Sequence, residues 1–377
     1  MKTINLFEAF SGIGSQHQAL KNIGYDVNVV GISDWFIDAI VSYAVNHLGI
    51  NAISINREEV LSYLKDYSLS LNNKEPAKNI GGLSNDKLSI VYQVIQQFGD
   101  LDIRHINGEA LVWKDIDLFT YSFPCQDISQ QWKQRGFSKG WEETRSGLLW
   151  QVERILKEIA SIDKKSLPKV LMMENVKALL NKNFEEDLNS WIQELEKLGY
   201  KSTKPFVVGS LELWEVQNRE RVFMFSFLDE TKVKDFTYTG SHAEKYIRDI
   251  FEEDMEHKEI VLKKGVTMVE KNPQRGLRKI FLEGYTSFQA ENCVYLIDWK
   301  APTVTASWAN SSIKVLQDNG KIVVLNALEN LKLQGFNKDF YNKMVENWVS
   351  EGKIKVMAGN SIHVRVLEEL FKFYLWV

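Results

Sequence analysis

The sequence predicts an α/β protein, a mostly parallel sheet with helices on both faces. Three observations lead there. Strand-like and helix-like patterns alternate from Thr3 to about residue 230, the repetition that a parallel sheet with crossover helices produces. The first strand opens through two glycines directly into a helix. The composition, 44% hydrophobic and 25% charged, belongs to a folded chain able to bury a large core.

Taken in order, Thr3 to Phe10 reads as a strand and Ser15 to Ile23 as a helix. Val27 to Ile32 forms the second strand and Ile37 to His47 the second helix. Ile116 to Ser122, Lys169 to Met173 and Arg221 to Phe227 follow as strands, with helices at Gly147 to Ile159 and Glu185 to Leu198 between them. Residues 51–100 are polar and mostly helical in pattern, which suits a surface insertion. From about Asp229 the alternation stops and charge comes in blocks. Acids dominate between Asp249 and Glu259. Lys263, Lys264, Lys271, Arg275, Arg278 and Lys279 then face the single acid Glu270. Such a strip reads as a solvated surface or as a phosphate-contacting face. Helical periodicity returns from Ile362 to Tyr374.

Charge and cysteine content narrow the function. Lys plus Arg total 46 against 50 for Asp plus Glu, a net charge of −4, which excludes a uniformly basic polyanion binder but not a local basic face. Two cysteines, Cys125 and Cys293, are too few for a disulfide scaffold and suit a reducing compartment. No uncharged apolar run is long enough to span a membrane. Glu8 stands where a signal peptide would carry its apolar core, so a cytoplasmic protein without a membrane partner is expected.

Five sites carry chemistry. Phe10-Ser11-Gly12-Ile13-Gly14-Ser15 joins strand to helix. Its glycines permit a tight turn, and the helix amino end favours negative charge. Asp34 ends the second strand, where an acid can accept ribose hydroxyls and Trp35 can cover an adenine. Cys125, in Ser122-Phe123-Pro124-Cys125-Gln126, lies at a strand end on the side where such sheets bind ligands. It reads either as a small buried hydrophobe or as a nucleophilic thiolate. Glu174 follows an apolar strand and is a candidate proton donor, with a helix cap as the plainer reading. Arg219 and Arg221, two apart, are expected to project to one face and suit a carboxylate or phosphate. No His/Cys cluster suggests a metal.

Phe-x-Gly-x-Gly, Pro-Cys-Gln, Glu-Asn-Val, Gln-x-Arg-x-Arg and Gly359-Asn360-Ser361-Ile362 occur in one order along the chain. Thr144-Arg145-Ser146-Gly147-Leu148, Ala301-Pro302-Thr303-Val304-Thr305-Ala306 and Leu331-Lys332-Leu333-Gln334-Gly335-Phe336 accompany them. The set resembles the motif series of the cytosine-C5 DNA methyltransferases, the mollicute and firmicute restriction-modification members in particular. That resemblance implies a Rossmann-like S-adenosylmethionine-dependent methyltransferase fold with a smaller target-recognition domain. Residues 1–229 plus 353–377 would form the catalytic domain, and 230–352 the small domain, with target recognition at about 230–295.

The resemblance also implies roles. S-adenosyl-L-methionine would be the methyl donor and a cytosine flipped from double-stranded DNA the substrate. Phe10, Gly12, Gly14, Asp34, Trp35, Asp102, Pro124, Leu148, Asn360 and Ser361 would bind the cofactor. Cys125 would be the nucleophile, supported by Glu174, Arg219 and Arg221. Gln126, Ser129 and Arg135 would face DNA, as would Lys263, Lys264, Arg275 and Arg278 of the basic strip. A monomer is expected, with a cognate restriction endonuclease as companion. A catalytically impaired DNA-binding relative and a tRNA cytosine-C5 methyltransferase are the alternatives. Trp132, Trp299 and Trp308 stand where similar enzymes usually carry glycine, Val216 where proline is frequent, and His363 and Arg365 likewise.

Overall fold

The computed structural model describes residues 2–124, 146–274, 277–306 and 312–375. Cys125, Gln126, Ser129, Trp132, Arg135, Thr144, Arg145, Arg275 and Trp308 lie outside the described residues. Two compact units are present. The first comprises residues 1–208, 220–237 and 367–377, the second 209–219 and 238–366.

The first unit carries the alternation expected from the sequence. Its strands are β1 (Lys2–Ala9), β2 (Tyr25–Ser33), β3 (Leu118–Tyr121), β4 (Val170–Val176), β5 (Lys201–Ser202), β6 (Phe206–Gly209) and β7 (Glu220–Phe227). The order across the sheet is β2-β1-β3-β4-β7-β5, with β6 also on β7. Pairs among β2, β1, β3 and β4 are parallel, whereas β7 runs antiparallel to β4 and β5. Helices α1 (Ser15–Asn22), α2 (Ile37–Tyr43), α3 (Arg57–Leu64), α4 (Asn85–Phe98), α5 (Leu149–Ile162) and α6 (Glu185–Leu198) connect these strands. A single wide turn, Ala44–Leu48, extends α2 as far as the predicted helix reached.

Every side chain of β3 is buried, as a central parallel strand covered on both faces requires. On one face Phe7 stacks on Phe119 with ring centroids 4.5 Å apart, and Tyr121 meets Trp191 of α6 edge-on. The Trp191 indole N–H donates to the Tyr121 hydroxyl at 3.1 Å, so the buried donor and acceptor satisfy each other. Val222 and Met224 join this core. Phe225 and Phe227 point the other way by strand alternation and pack on Tyr374.

Residues 51–100 are more than a surface insertion, because α4 buries Leu88, Val91, Val94 and Ile95 completely. The i, i+3, i+6, i+7 spacing of those residues makes the apolar face.

The second unit holds β8 (Lys258–Glu259), β9 (Thr267–Gln274), β10 (Leu277–Glu283), β11 (Cys293–Leu296), β12 (Lys314–Leu316) and β13 (Ile322–Val324), in the order β8-β13-β12-β11-β10-β9. Its small core includes Leu282, Val294 and Ile322. Helices α7 (Ala327–Lys332), α8 (Lys338–Glu346) and α9 (Glu351–Asn360) follow. The last helix, α10 (Val364–Tyr374), passes from the second unit into the first at residue 367. Sequence reasoning drew the boundaries at 229/230 and 352/353. Compactness instead gives residues 209–219 to the second unit, where the Asn218 N–H donates to Ala301 and the Ala301 N–H to Val216.

Trp191→Ala should lower stability by about 3–5 kcal/mol through the cavity it leaves. Trp191→Phe, which removes the indole donor from Tyr121, should cost about 1 kcal/mol. Denaturant midpoints check both, and an alanine variant no less stable than the phenylalanine variant would contradict the packing described.

Candidate active site

The register of the parallel strands fixes the site. Ala9 lies opposite Tyr121 and Tyr121 opposite Met173, so Phe10, Ser122 and Glu174 follow at one level on adjacent strands. Side chains then tie these ends together. The Ser122 hydroxyl donates to the Phe10 carbonyl at 3.4 Å, and the buried Asn175 amide donates to the Phe123 carbonyl at 3.0 Å. Pro124, partly buried, follows directly.

After β1 the chain turns sharply. Phe10, Gly12 and Gly14 all have positive φ, of 59°, 54° and 78°. A Cβ on Gly12 would meet nothing within 4 Å, so open space lies before the backbone there. At Gly14 a Cβ would stand 2.5 Å from the His47 ring and 2.8 Å from Tyr43, so both conformation and room demand glycine. The turn is closed by Asp34, whose Oδ2 accepts the Gly12 N–H at 2.9 Å while Oδ1 accepts that of Phe36 at 2.8 Å. Loss of solvent pushes the Asp34 carboxyl up to about 6, against the opposing backbone N–H bonds. Trp35, half-buried, comes next.

Asp102 is held near Trp35. Its buried carboxylate accepts the Arg104 N–H at 3.0 Å and Nε at 2.9 Å, and the Arg104 guanidinium lies 5.8 Å from the Trp35 ring centre. Burial alone would raise the Asp102 carboxyl, but the Arg104 bonds bring it below its ordinary value. Leu148, partly buried, packs against the same core as Phe10.

Sequence reasoning missed a polar cluster directly beneath this turn. Glu8 is fully buried in β1. It accepts from the Tyr43 hydroxyl and, at 3.4 Å, from the His17 N–H. The His17 and His47 rings lie 4.3 Å apart, and His47 Nε2 lies 2.9 Å from the Ile13 carbonyl. Burial pushes the Glu8 carboxyl up to about 8, opposed by its bonds from Tyr43 and His17. Burial, aided by the charge of Lys21, pushes the His17 imidazole down to about 4. The signal was available: Glu8 is an acid between the apolar residues Leu6, Phe7, Ala9 and Phe10.

Glu174 lies on β4, diagonal to Arg221 on β7 and on the same face, and Arg221 Nε approaches Glu174 Oε1 at 3.2 Å. The two arginines fall in different units. Within the second unit, buried Arg219 donates from Nη1 to the Val304 carbonyl at 3.0 Å. From Nη2 it reaches the carbonyls of Gly359 at 3.0 Å and Ser361 at 2.6 Å. Gln217 gives to the Leu333 carbonyl and takes from the Val304 N–H, both at 2.8 Å. Ser361 is buried and donates to the Met357 carbonyl, whereas Asn360 is exposed at the end of α9. His363 is buried, which pushes its imidazole down to about 3. Trp299 is half-buried beside Tyr246.

Lys263 and Lys264 are exposed in the turn leading to β9, and exposed Arg278 of β10 pairs with Glu270 at 2.6 Å.

Comparisons with known proteins identify the family. A family model for C-5 cytosine-specific DNA methylases matches residues 55–375. The orphan methyltransferase M.SssI of Spiroplasma monobiae is 38% identical, over 98% of this chain and 96% of its own length. Type II methyltransferase M2.ScrFI of Lactococcus lactis subsp. cremoris is 32% identical over 98% of each. In fold, the chain resembles the Entamoeba histolytica methyltransferase EhMeth at TM-score 0.66, with 15% identity, covering 100% of this chain and 98% of that one.

The buried carboxyl beneath the turn makes a pH prediction. Glu8 binds its proton more tightly folded than unfolded. Its contribution is fully present below its ordinary 4.5 and is lost as pH rises through about 8. Glu8→Gln cannot titrate, so it should lose that decline; denaturant stability at about pH 5 and about pH 9 measures it. The same decline in variant and wild type would contradict the assignment.

Proposed function

Because the chain belongs to the C-5 cytosine-specific DNA methylase family, we propose that its catalytic centre forms at the carboxyl ends of β1, β3 and β4, with Cys125 as nucleophile. The chain is a DNA cytosine-C5 methyltransferase that uses S-adenosyl-L-methionine. The observation that carries the proposed site is the alignment of Phe10, Ser122 and Glu174, with Arg221 on the Glu174 carboxylate.

The residues present fit the methyl donor. Open space before Gly12 admits a ligand close to the backbone, and Asp34 keeps lone pairs on both oxygens beyond the N–H bonds it accepts. Asp34 would hold the ribose hydroxyls, Trp35 the adenine face and Asp102 the adenine amine, with Phe10, Pro124 and Leu148 as apolar walls. S-adenosyl-L-methionine, when bound, supplies an electrophilic methyl group for C5.

Cytosine C5 is too electron-poor to take that group unaided. Addition of the Cys125 thiolate to C6 moves electron density onto C5 and N3. Glu174, oriented by Arg221, would donate to N3 as that charge develops. After transfer a base removes the C5 proton, the C5–C6 double bond re-forms and the thiolate leaves. A stacked base cannot be reached this way, so the cytosine must leave the duplex. Arg219 acts as a positioning residue, holding the backbone at 304, 359 and 361.

Lys263, Lys264, Arg275 and Arg278 would neutralise phosphate, with Gln126, Ser129 and Arg135 nearer the base. A restriction-modification setting with a companion endonuclease, and a monomeric enzyme, complete the reading; the Type II name of one relative supports the first. Among the described residues, no helix is long and apolar enough to cross a membrane.

Bisulfite sequencing of unmethylated duplex DNA incubated with the protein and S-adenosyl-L-methionine should reveal protected cytosines within one short motif. Complete conversion would contradict the reading. Cys125→Ser should abolish methyl transfer and leave cofactor affinity nearly intact, whereas equal loss of both would make the cysteine structural. Replacing Lys263, Lys264 and Arg278 by alanine should flatten the salt dependence of DNA binding, by roughly one unit of slope per lost phosphate contact. Arg278 should contribute least, because Glu270 already neutralises it. An unchanged slope would remove the strip from the DNA face.

A further inference from the structure

Trp35 is held by a segment remote in sequence. Its indole N–H donates to Asn73 Oδ1 at 2.9 Å, and its carbonyl accepts the Ser70 N–H at 2.7 Å. The Ser70 carbonyl in turn accepts from Ile37 at 3.0 Å, so residues 35–37 and 70 form a short parallel bridge. Asn73 therefore meets the edge of a ring whose backbone the same segment already grips.

The segment is built to present that oxygen. Ser70 is fully buried, and its hydroxyl accepts the Asn73 N–H at 3.0 Å while donating to the Glu75 carbonyl at 2.7 Å. Asn72 Oδ1 accepts from Lys74 at 2.9 Å, and the Ala77 N–H closes the loop on the Leu69 carbonyl at 2.7 Å. Asn73 has φ of 58°, a left-handed conformation that asparagine tolerates better than most residues. With the ring edge fixed by Asn73 and the Arg104 guanidinium 5.8 Å from the ring centre, rotation of the indole about its side-chain bonds is opposed.

We propose that Asn73 is a positioning residue for the methyl donor, fixing the Trp35 indole as a platform for its adenine. This rests on the reading of Trp35 given above. A flat ring that binds another flat ring loses affinity when it is free to turn, because rotational freedom must then be surrendered on binding. The N–H bond at its edge removes that freedom in advance. It also satisfies a donor that a stacked ligand would otherwise shut off from water. A segment distant from the motif residues thus belongs to the cofactor site.

The test uses the full chain and five variants, with S-adenosyl-L-methionine affinity by calorimetry beside KM, kcat and thermal midpoint. Asn73→Ala should weaken cofactor binding about fivefold, the worth of one net hydrogen bond, with kcat and the KM for DNA little changed. Asn73→Asp keeps an acceptor oxygen and should retain near wild-type affinity. Trp35→Phe, which keeps an aromatic ring and removes the N–H, should resemble Asn73→Ala, and the double variant should lose nothing more. Multiplying losses in the double variant, or an aspartate variant as weak as the alanine, would overturn the proposal. Trp35→Ala separates the two levels. Unchanged affinity there would remove Trp35 from the cofactor site altogether, whereas weak binding there with unchanged Asn73→Ala would sink the role of Asn73 alone.

Discussion

The parallel register of β1, β3 and β4 is the constraint on which the site depends. With Ala9, Tyr121 and Met173 opposite one another, each chain leaves the sheet at the same level. A slip of one residue would turn Glu174 to the opposite face and separate it from Arg221, because side chains alternate along a strand. Stacking of Phe7 on Phe119, and the edge-on contact of Trp191 with Tyr121, hold the register from below. The hydrogen bonds from Ser122 and Asn175 lock it at the ends.

Around that frame the polar groups divide labour by burial. The Arg219 guanidinium donates to three carbonyls and so orders backbone in its unit. Arg221, less buried, meets Glu174. Asp34 both closes the glycine turn and keeps acceptor capacity, so one carboxylate shapes the loop and faces what lies beyond it. Beneath the turn, Tyr43 and His47 exclude any side chain at position 14, and Glu8 accepts from the Tyr43 hydroxyl. The sharpness of the turn is thus set from inside the core.

Much of this was legible in the sequence, for local physical reasons. The alternation of strand-like and helix-like patterns announced β1 to β4, and the ordered motifs identified the methyltransferase resemblance. Helix α4 was undervalued because its apolar positions lie among many polar ones and only their spacing betrays a buried face. Asn73 carried no pattern at all, since its meaning depends on a contact with Trp35 across 38 positions. The different destinations of Arg219 and Arg221 were equally hidden. Two residues apart suggests one face, but the chain passes between compact units at residue 220, and spacing says nothing of that.

We propose that methyl transfer runs through a covalent bond between Cys125 and the cytosine. Incubating the protein and S-adenosyl-L-methionine with duplex DNA carrying 5-fluorocytosine in the methylated motif tests it directly. Fluorine at C5 cannot leave as a proton does, so the adduct should persist. Peptide mass mapping should place it on Cys125. An adduct on another residue, or methylation of ordinary DNA with no adduct on the fluorinated strand, would contradict the account.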